Sequence, residues 1–128
     1  MKNVFSGRSI LVVEDEMLVL MSIETMLEDL GCTAIAAAAS VNEALALIEQ
    51  QRFDVAMLDV NLDGEKSYAV ADSLIGRGIP FVFSTGYGDH NDRTDLADRP
   101  VLRKPYLQSK LTLVLGGLMT NQSLPTAA

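Results

Sequence analysis

Short apolar runs alternate along the chain with longer segments whose apolar residues recur every three or four positions. Four of the runs cover residues 10–13, 53–58, 80–84 and 100–103, and an alanine-rich fifth covers residues 33–39. Short runs with polar flanks favour strands, and those richest in branched residues favour strands buried on both faces. We therefore predict five strands, of which the second has the weakest signal because alanine has a low β propensity.

The longer segments predict helices. The first covers residues 16–30, and Gly31 supplies its C-terminal stop. Ser40 and Glu43 form a capping box at the start of the second. A third is predicted over residues 65–75, before the glycines at positions 76 and 78. The last carries an apolar stripe made up of Leu107, Leu111, Val114, Leu115 and Leu118.

Two segments carry weaker signals. Residues 89–99 hold one leucine and one alanine among polar and charged residues, so they offer little apolar face to a stable helix. We expect a short or mobile element there. The tail, residues 120–128, is expected to be disordered.

Strands that alternate with helices indicate a doubly wound α/β fold, because parallel strands need crossover helices that cover both faces of the sheet. In such folds the functional groups gather beyond the carboxyl ends of the strands. The sequence therefore directs attention to the residues that follow each predicted strand.

Polar side chains follow four of these strands. Glu14 and Asp15 follow the first, Asp59 the third, Ser84 and Thr85 close the fourth, and Lys104 follows the fifth. Carboxylates this close together must either retain a proton or recruit a cation, and Mg²⁺ is the leading candidate. An anion can then approach. The residue types suit phosphoryl transfer, with Asp59 as nucleophile and with Thr85 and Lys104 taking up charge.

The overall composition agrees with an acidic protein that binds cations and proteins. The 128 residues fit one domain, and 17 acidic against 10 basic residues give a net charge of −7, which opposes binding to nucleic acid or anionic lipid. Cys32 has no second cysteine to pair with, and residues 1–9 lack the layout of a secretory signal, so we expect a cytoplasmic protein. The longest apolar stretches are far shorter than the ~20 residues of a membrane span.

Four segments in chain order resemble the receiver domain of bacterial response regulators. They are Val12-Val13-Glu14-Asp15, Met57-Leu58-Asp59-Val60-Asn61-Leu62, Ser84-Thr85-Gly86 and Lys104-Pro105-Tyr106. The resemblance covers residues 8–119. It implies a CheY-like sheet with strand order 2-1-3-4-5 and a receiver domain over residues 1–119.

The resemblance also assigns roles by position. Asp59 corresponds to the phosphoacceptor, Thr85 to the switch hydroxyl and Lys104 to the phosphate-pairing lysine. The Mg²⁺ ligands correspond to Glu14, Asp15, Asp59 and the backbone carbonyl of Asn61. The Lys104–Pro105 peptide bond is expected to be cis, as is frequent in this family.

Residues 81–88, Phe-Val-Phe-Ser-Thr-Gly-Tyr-Gly, are similar to the FAT GUY receivers of alphaproteobacteria, several of which act in general stress signalling. The resemblance implies a single-domain phosphoacceptor rather than an enzyme, monomeric or in a weak phosphorylation-dependent dimer. Its partners would be a histidine kinase or a histidine phosphotransfer protein, and it would act through protein contacts or as a phosphate shuttle or sink. One departure is Val101, where ordinary receivers carry an aromatic switch residue.

Three alternatives remain at this stage. Residues 17–21 are apolar all round the start of the first helix, so they are either completely buried or a docking surface for a kinase helix. A haloacid-dehalogenase-like phosphatase would need an aspartate where this chain has Asn61. A pseudo-receiver would act as a binding module without phosphorylation.

Overall fold

The computed structural model describes residues 4–86 and 92–121. Helices α1 (Met17–Asp29), α2 (Val41–Gln50), α3 (Tyr68–Gly76) and α4 (Gln108–Asn121) lie between or after the strands. The strands are β1 (Ser9–Val13), β2 (Ala34–Ala38), β3 (Val55–Asp59), β4 (Asn61–Leu62), β5 (Glu65–Lys66), β6 (Phe81–Thr85) and β7 (Val101–Arg103).

Five of these strands form one parallel sheet in the order β2-β1-β3-β6-β7. These are the five predicted strands, so the predicted fold class and the order 2-1-3-4-5 are both confirmed. The order reverses between β1 and β3, which is where doubly wound sheets place their functional crevice. The register pairs Val13 with Leu58 and Asp59 with Ser84, so the carboxyl ends of the three central strands lie at one edge.

Two apolar layers cover the two faces of the sheet because successive side chains of a strand point to opposite faces. Leu11, Leu58 and Phe83 pack with buried residues of α2 and α3, and Ile10, Met57 and Val82 pack with buried residues of α1 and α4. The central strands are buried throughout. They form a rigid base for the groups at their ends.

A small hairpin that the sequence analysis missed follows β3. Strands β4 and β5 are antiparallel and are joined by Asp63 and Gly64, whose φ angles are 51° and 86°. Positive φ at both central residues is the backbone of the tight hairpin turn that an Asp-Gly pair favours. Because β5 takes up Glu65 and Lys66, helix α3 begins at Tyr68 and the predicted start at residue 65 was wrong.

The polar segment before β7 contains a short element, as predicted. A 3-10 helix covers Thr94–Leu96, and Leu96 is buried in the core. The Arg93 guanidinium donates to both carboxylate oxygens of Asp72 on α3, at 3.1 and 3.0 Å, and so ties this segment to the domain. Residues 87–91, which include the start of the predicted element, lie outside the described residues.

The capping box and the C-terminal boundary can also be compared with the prediction. Glu43 N–H donates to Ser40 Oγ at 3.1 Å, and the Glu43 carboxylate accepts from Ala39 N–H at 2.9 Å, so the capping box is confirmed. Helix α4 continues to Asn121, so the predicted disordered tail was wrong for Thr120 and Asn121. Residues 122–128 lie outside the described residues.

The apolar start of α1 is not completely buried. Met17 and Met21 are exposed and Leu18 is 82% exposed, whereas Leu20 is buried. The complete burial weighed for residues 17–21 is therefore wrong. Among the described residues, no helix has the length and apolar character needed to cross a membrane.

Candidate functional site

Three carboxylates meet at the carboxyl edge of the sheet. Glu14 and Asp15 follow β1, Asp59 ends β3, and each offers an oxygen within 4.8 Å of the others. Glu14 is 1% exposed and Asp59 is 3% exposed, whereas Asp15 is half-buried. The predicted acidic cluster is present, and its burial makes the negative charges costly unless a cation balances them.

Lys104 enters this cluster from the end of β7. Its Nζ lies 2.6 Å from Glu14 Oε1 and 3.0 Å from Asp59 Oδ2. The Lys104–Pro105 peptide bond is cis, as predicted. The lysine thus pairs with two of the three carboxylates, and the pairing with Glu14 was not anticipated from the sequence.

Burial shapes the protonation of this pair. It raises the pKa of Glu14 to about 7, helped by the Asp59 charge and opposed by the hydrogen bond from Lys104. Burial by itself would lower the pKa of Lys104, but its hydrogen bonds to Glu14 and Asp59 outweigh burial and raise that pKa. Lys104 is therefore a firm cation at neutral pH, whereas Glu14 exchanges its proton readily near pH 7.

Two hydroxyls at the end of β6 face this site without a formed hydrogen bond. Ser84 and Thr85 are buried, and neither Ser84 Oγ nor Thr85 Oγ1 has a hydrogen-bond partner among the described residues. Buried hydroxyls are usually paired, so an unpaired pair beside a cation suits an incoming oxyanion. Thr85 lies where the sequence predicted a charge-stabilising hydroxyl.

Backbone groups of the β4–β5 hairpin support the acidic cluster. Asn61 N–H donates to Asp59 Oδ1 at 3.2 Å, and Asp63 N–H donates to Asp15 Oδ2 at 2.9 Å. Asn61 therefore lies beside the phosphoacceptor candidate, where the resemblance assigned its carbonyl to the metal. The sequence signal for this support was the Asp63-Gly64 turn, whose tight hairpin was overlooked.

Ser67 is a further residue that the sequence analysis missed. It is fully buried, and its Oγ donates to the carbonyl oxygens of Asp59 and Val60. The serine precedes α3 but gives that helix no side-chain cap. It fixes the backbone just after the candidate nucleophile, a role that no local sequence pattern indicates.

The donor set fits a hard divalent cation. All three clustered side chains offer carboxylate oxygens, which Mg²⁺ prefers, and the half-buried Asp15 leaves the cluster open on one side. Lys104 balances part of the negative charge, so room remains for a cation without an excess of positive charge. Glu14, Asp15 and Asp59 are the residues that would hold the ion.

A doubly wound parallel sheet with an acidic, lysine-bearing site at its switch point defines the class of aspartate-centred α/β domains. The sequence model described as response regulator receiver domain matches residues 10–115. The chain therefore belongs to the response regulator receiver domain family.

Known proteins agree with this assignment. The phyllosphere-induced regulator PhyR of Methylorubrum extorquens is 31% identical over 113 residues, which are 83% of this chain but only 41% of PhyR. SdrG of Sphingomonas melonis Fr1 superposes with a TM-score of 0.80 at 42% identity, over 93% of this chain and 99% of SdrG. This chain thus spans less than half of PhyR and nearly all of the solved SdrG chain.

A third similar protein is informative about the metal. The receiver domain of the sensor histidine kinase PA1611 from Pseudomonas aeruginosa PAO1 has a TM-score of 0.78 at 26% identity, over 90% of this chain and 99% of that one. That structure holds a magnesium ion in its active site cleft. Receiver domains bind Mg²⁺ at an acidic site, and this chain has the corresponding acidic cluster.

Proposed function

We propose that this chain accepts a phosphoryl group on Asp59, in the presence of Mg²⁺, and so acts as a response regulator in a phosphorelay. The observation that carries the proposal is the setting of the Asp59 carboxylate: Lys104 Nζ lies 3.0 Å from Oδ2, and Glu14 and Asp15 complete an acidic cluster around it. Unpaired hydroxyls of Ser84 and Thr85 lie at the end of the adjacent strand.

In the proposed transfer, a carboxylate oxygen of Asp59 attacks the phosphorus of a phosphorylated histidine on a partner. The new oxygen–phosphorus bond forms as the phosphorus–nitrogen bond breaks, and the imidazole leaves as the neutral ring once it holds a proton. Lys104 and Thr85 pair with the phosphoryl oxygens. Bound Mg²⁺ supplies neutralisation of the charge shared by the carboxylates and the phosphoryl group.

The proposed phosphodonor is a histidine kinase or a histidine phosphotransfer protein that docks on α1. Met17, Leu18 and Met21 form an exposed apolar patch there. Beside it, Lys104 and Pro105 border a groove of about 250 Å³ that is otherwise largely apolar. An amphipathic helix fits such a surface, and the groove leads toward Asp59 through Lys104.

We further propose a cytoplasmic, single-domain regulator that signals by protein contacts or shuttles phosphate, and that turns over no separate substrate. The match over 99% of the SdrG chain supports a functional unit of this size. The net charge of −7 supports protein partners rather than nucleic acid or anionic membranes. The FAT GUY pattern favours a role in stress signalling, although positions 87 and 88 of that motif lie outside the described residues.

Incubation of the protein with acetyl phosphate, followed by intact-mass measurement, tests the function. With Mg²⁺ we expect a mass gain of one phosphoryl group, which hydroxylamine removes because it cleaves acyl phosphates. With excess chelator we expect no gain. A protein that gains no mass under any of these conditions, or gains it equally with chelator, contradicts the proposal, and the first result favours a phosphorylation-independent binding module.

The raised pKa of Glu14 predicts a pH-dependent affinity for Mg²⁺. Below about pH 7 this carboxyl holds a proton that must leave when the ion binds, so the affinity rises as the pH rises through that value. We expect binding to be about tenfold weaker at pH 6 than at pH 8, as a single competing proton requires. Titration calorimetry measures both the affinity and the released proton. Glu14→Gln is the control, and an unchanged pH dependence in that variant would assign the proton to another group.

A further inference from the structure

Tyr106 joins the candidate site to the protein surface in a way that its assigned neighbours do not explain. Its hydroxyl is buried yet forms no hydrogen bond of normal geometry with a described residue, and its ring belongs to the core layer formed with α1 and α4. Burial raises the pKa of Tyr106, and the Ser84 hydroxyl and the Lys104 charge oppose that rise. The hydroxyl therefore lies within reach of Ser84 and of the charged groups around Asp59.

The direction of Ser84 supports this contact. Side chains alternate along β6, so Ser84 shares the face of Val82, which belongs to the same layer as Tyr106. Phe81 and Phe83 point to the opposite layer, and Thr85 alternates with Ser84. Of the two unpaired hydroxyls at this strand end, Ser84 is thus the one on the side of Tyr106.

The ring of Tyr106 also forms part of two surface grooves. One is the apolar groove of about 250 Å³ beside α1, which includes Leu18 and Met26. The other has a volume of about 430 Å³ and lies along β7 and the start of α4, where it includes Val101, Leu107 and Lys110. Pro105 and Tyr106 line both grooves, and of these two only Tyr106 has a polar group that reaches the site.

We propose that Tyr106 is a positioning residue that couples the state of Asp59 to the shape of both grooves, through the hydroxyl of Ser84. The inference rests on the proposed phosphorylation of Asp59. A serine hydroxyl carries one proton, so it cannot donate to a phosphoryl oxygen and to Tyr106 at the same time. When Ser84 donates to the phosphoryl group, Tyr106 must become the donor in their contact, and its ring shifts to follow.

This role answers the absence of an aromatic residue at position 101. Val101 is 42% exposed and has no polar group with which to sense the site. Tyr106 lies on the other side of Lys104 in the sequence and combines a ring at the surface with a hydroxyl at the site. A change in its position alters the α1 groove and the β7–α4 groove together, so both surfaces respond to the same event.

Fluorine NMR of the full chain labelled with 3-fluorotyrosine tests the inference. The chain has three tyrosines, so Tyr68→Phe and Tyr106→Phe assign the resonances and position 87 takes the remaining one. Beryllofluoride with Mg²⁺ serves as the phosphoryl mimic, and its own fluorine signal reports directly whether the site is filled. We expect the Tyr106 resonance to move by more than its linewidth on saturation, and to stay in place in Ser84→Ala although the bound beryllofluoride signal is present.

Each outcome has one meaning. A bound beryllofluoride signal with an unmoved Tyr106 resonance in the wild type overturns the inference but leaves the proposed function intact. An equal shift in wild type and Ser84→Ala also overturns it, because direct electrostatic influence then explains the shift. Absence of any bound signal in the wild type, at concentrations that fill other receivers, overturns both. If the alanine variant does not fold, Ser84→Cys replaces it, since a thiol is only a weak donor.

Discussion

Asp59→Asn is expected to lower phosphoryl incorporation from acetyl phosphate below detection. The substitution preserves the shape of the side chain and an oxygen that can accept from Asn61 N–H, so the fold should persist. It removes the negative charge and the nucleophilic oxygen that the transfer requires. It also turns an amide toward Lys104, where the wild-type carboxylate oxygen lies 3.0 Å from Nζ. Intact-mass measurement in saturating Mg²⁺ reads the loss directly.

Asp63→Asn is the matched control for this variant. Asp63 lies in the turn next to the site and has a φ angle of 51°, which asparagine adopts readily. Its contact with Asp15 is made by its backbone N–H, which the substitution retains. We expect wild-type incorporation in this control. Incorporation into Asp59→Asn at the wild-type level would show that another residue is the phosphoacceptor.

The main site residues could be predicted from sequence because a parallel sheet leaves few places for strand ends to go. The runs that end before Glu14 and at Asp59 are buried strands, so their register alone brings these carboxylates together. Lys104 follows a third strand of the same sheet. Each assignment needed only the strand boundaries and the sheet order, which long-range periodicity supplies.

Contacts that depend on local backbone geometry were not predicted. The support of Asp15 by Asp63 N–H requires the two-residue turn of the β4–β5 hairpin, and strands of two residues leave no periodicity to detect. The bond from Ser67 Oγ to the Asp59 carbonyl also follows from this hairpin, which brings the chain back to β3. Such interactions arise from tertiary closure over a few residues.

The environment of α1 illustrates a different limit. The apolar run over residues 17–21 predicts that some of these side chains need cover, but a single sequence does not distinguish an intramolecular neighbour from a partner. In the structure α1 packs one face on the sheet through Leu20, Ile23 and Leu27, which leaves Leu18 and Met21 outside. The geometry of one helix face decides the matter, and that geometry depends on how the helix rotates on the sheet.

Lys104→Met is expected to destabilise the metal-free protein by about 3 kcal/mol at pH 8, as removal of one member of a buried charge pair does. The variant leaves Glu14 and Asp59 without their shared cation. Because the hydrogen bond from Lys104 lowers the pKa of Glu14, its removal raises that pKa further above the usual value of a glutamate. The native variant therefore binds more protons than the unfolded chain over a wider pH range, and its stability falls more steeply as the pH rises.

The loss should accordingly be smaller at pH 5, where Glu14 holds a proton and needs no cation. Mg²⁺ should stabilise the variant more than the wild type, because in the wild type the ion competes with Lys104 for Glu14 and Asp59. Urea unfolding at both pH values, with and without Mg²⁺, measures these differences. Lys110→Met, at an exposed lysine of α4, controls for the loss of one positive charge and should change little. Equal destabilisation at pH 5 and pH 8 would mean that Lys104 stabilises the fold by the packing of its alkyl chain and not by balancing the carboxylates.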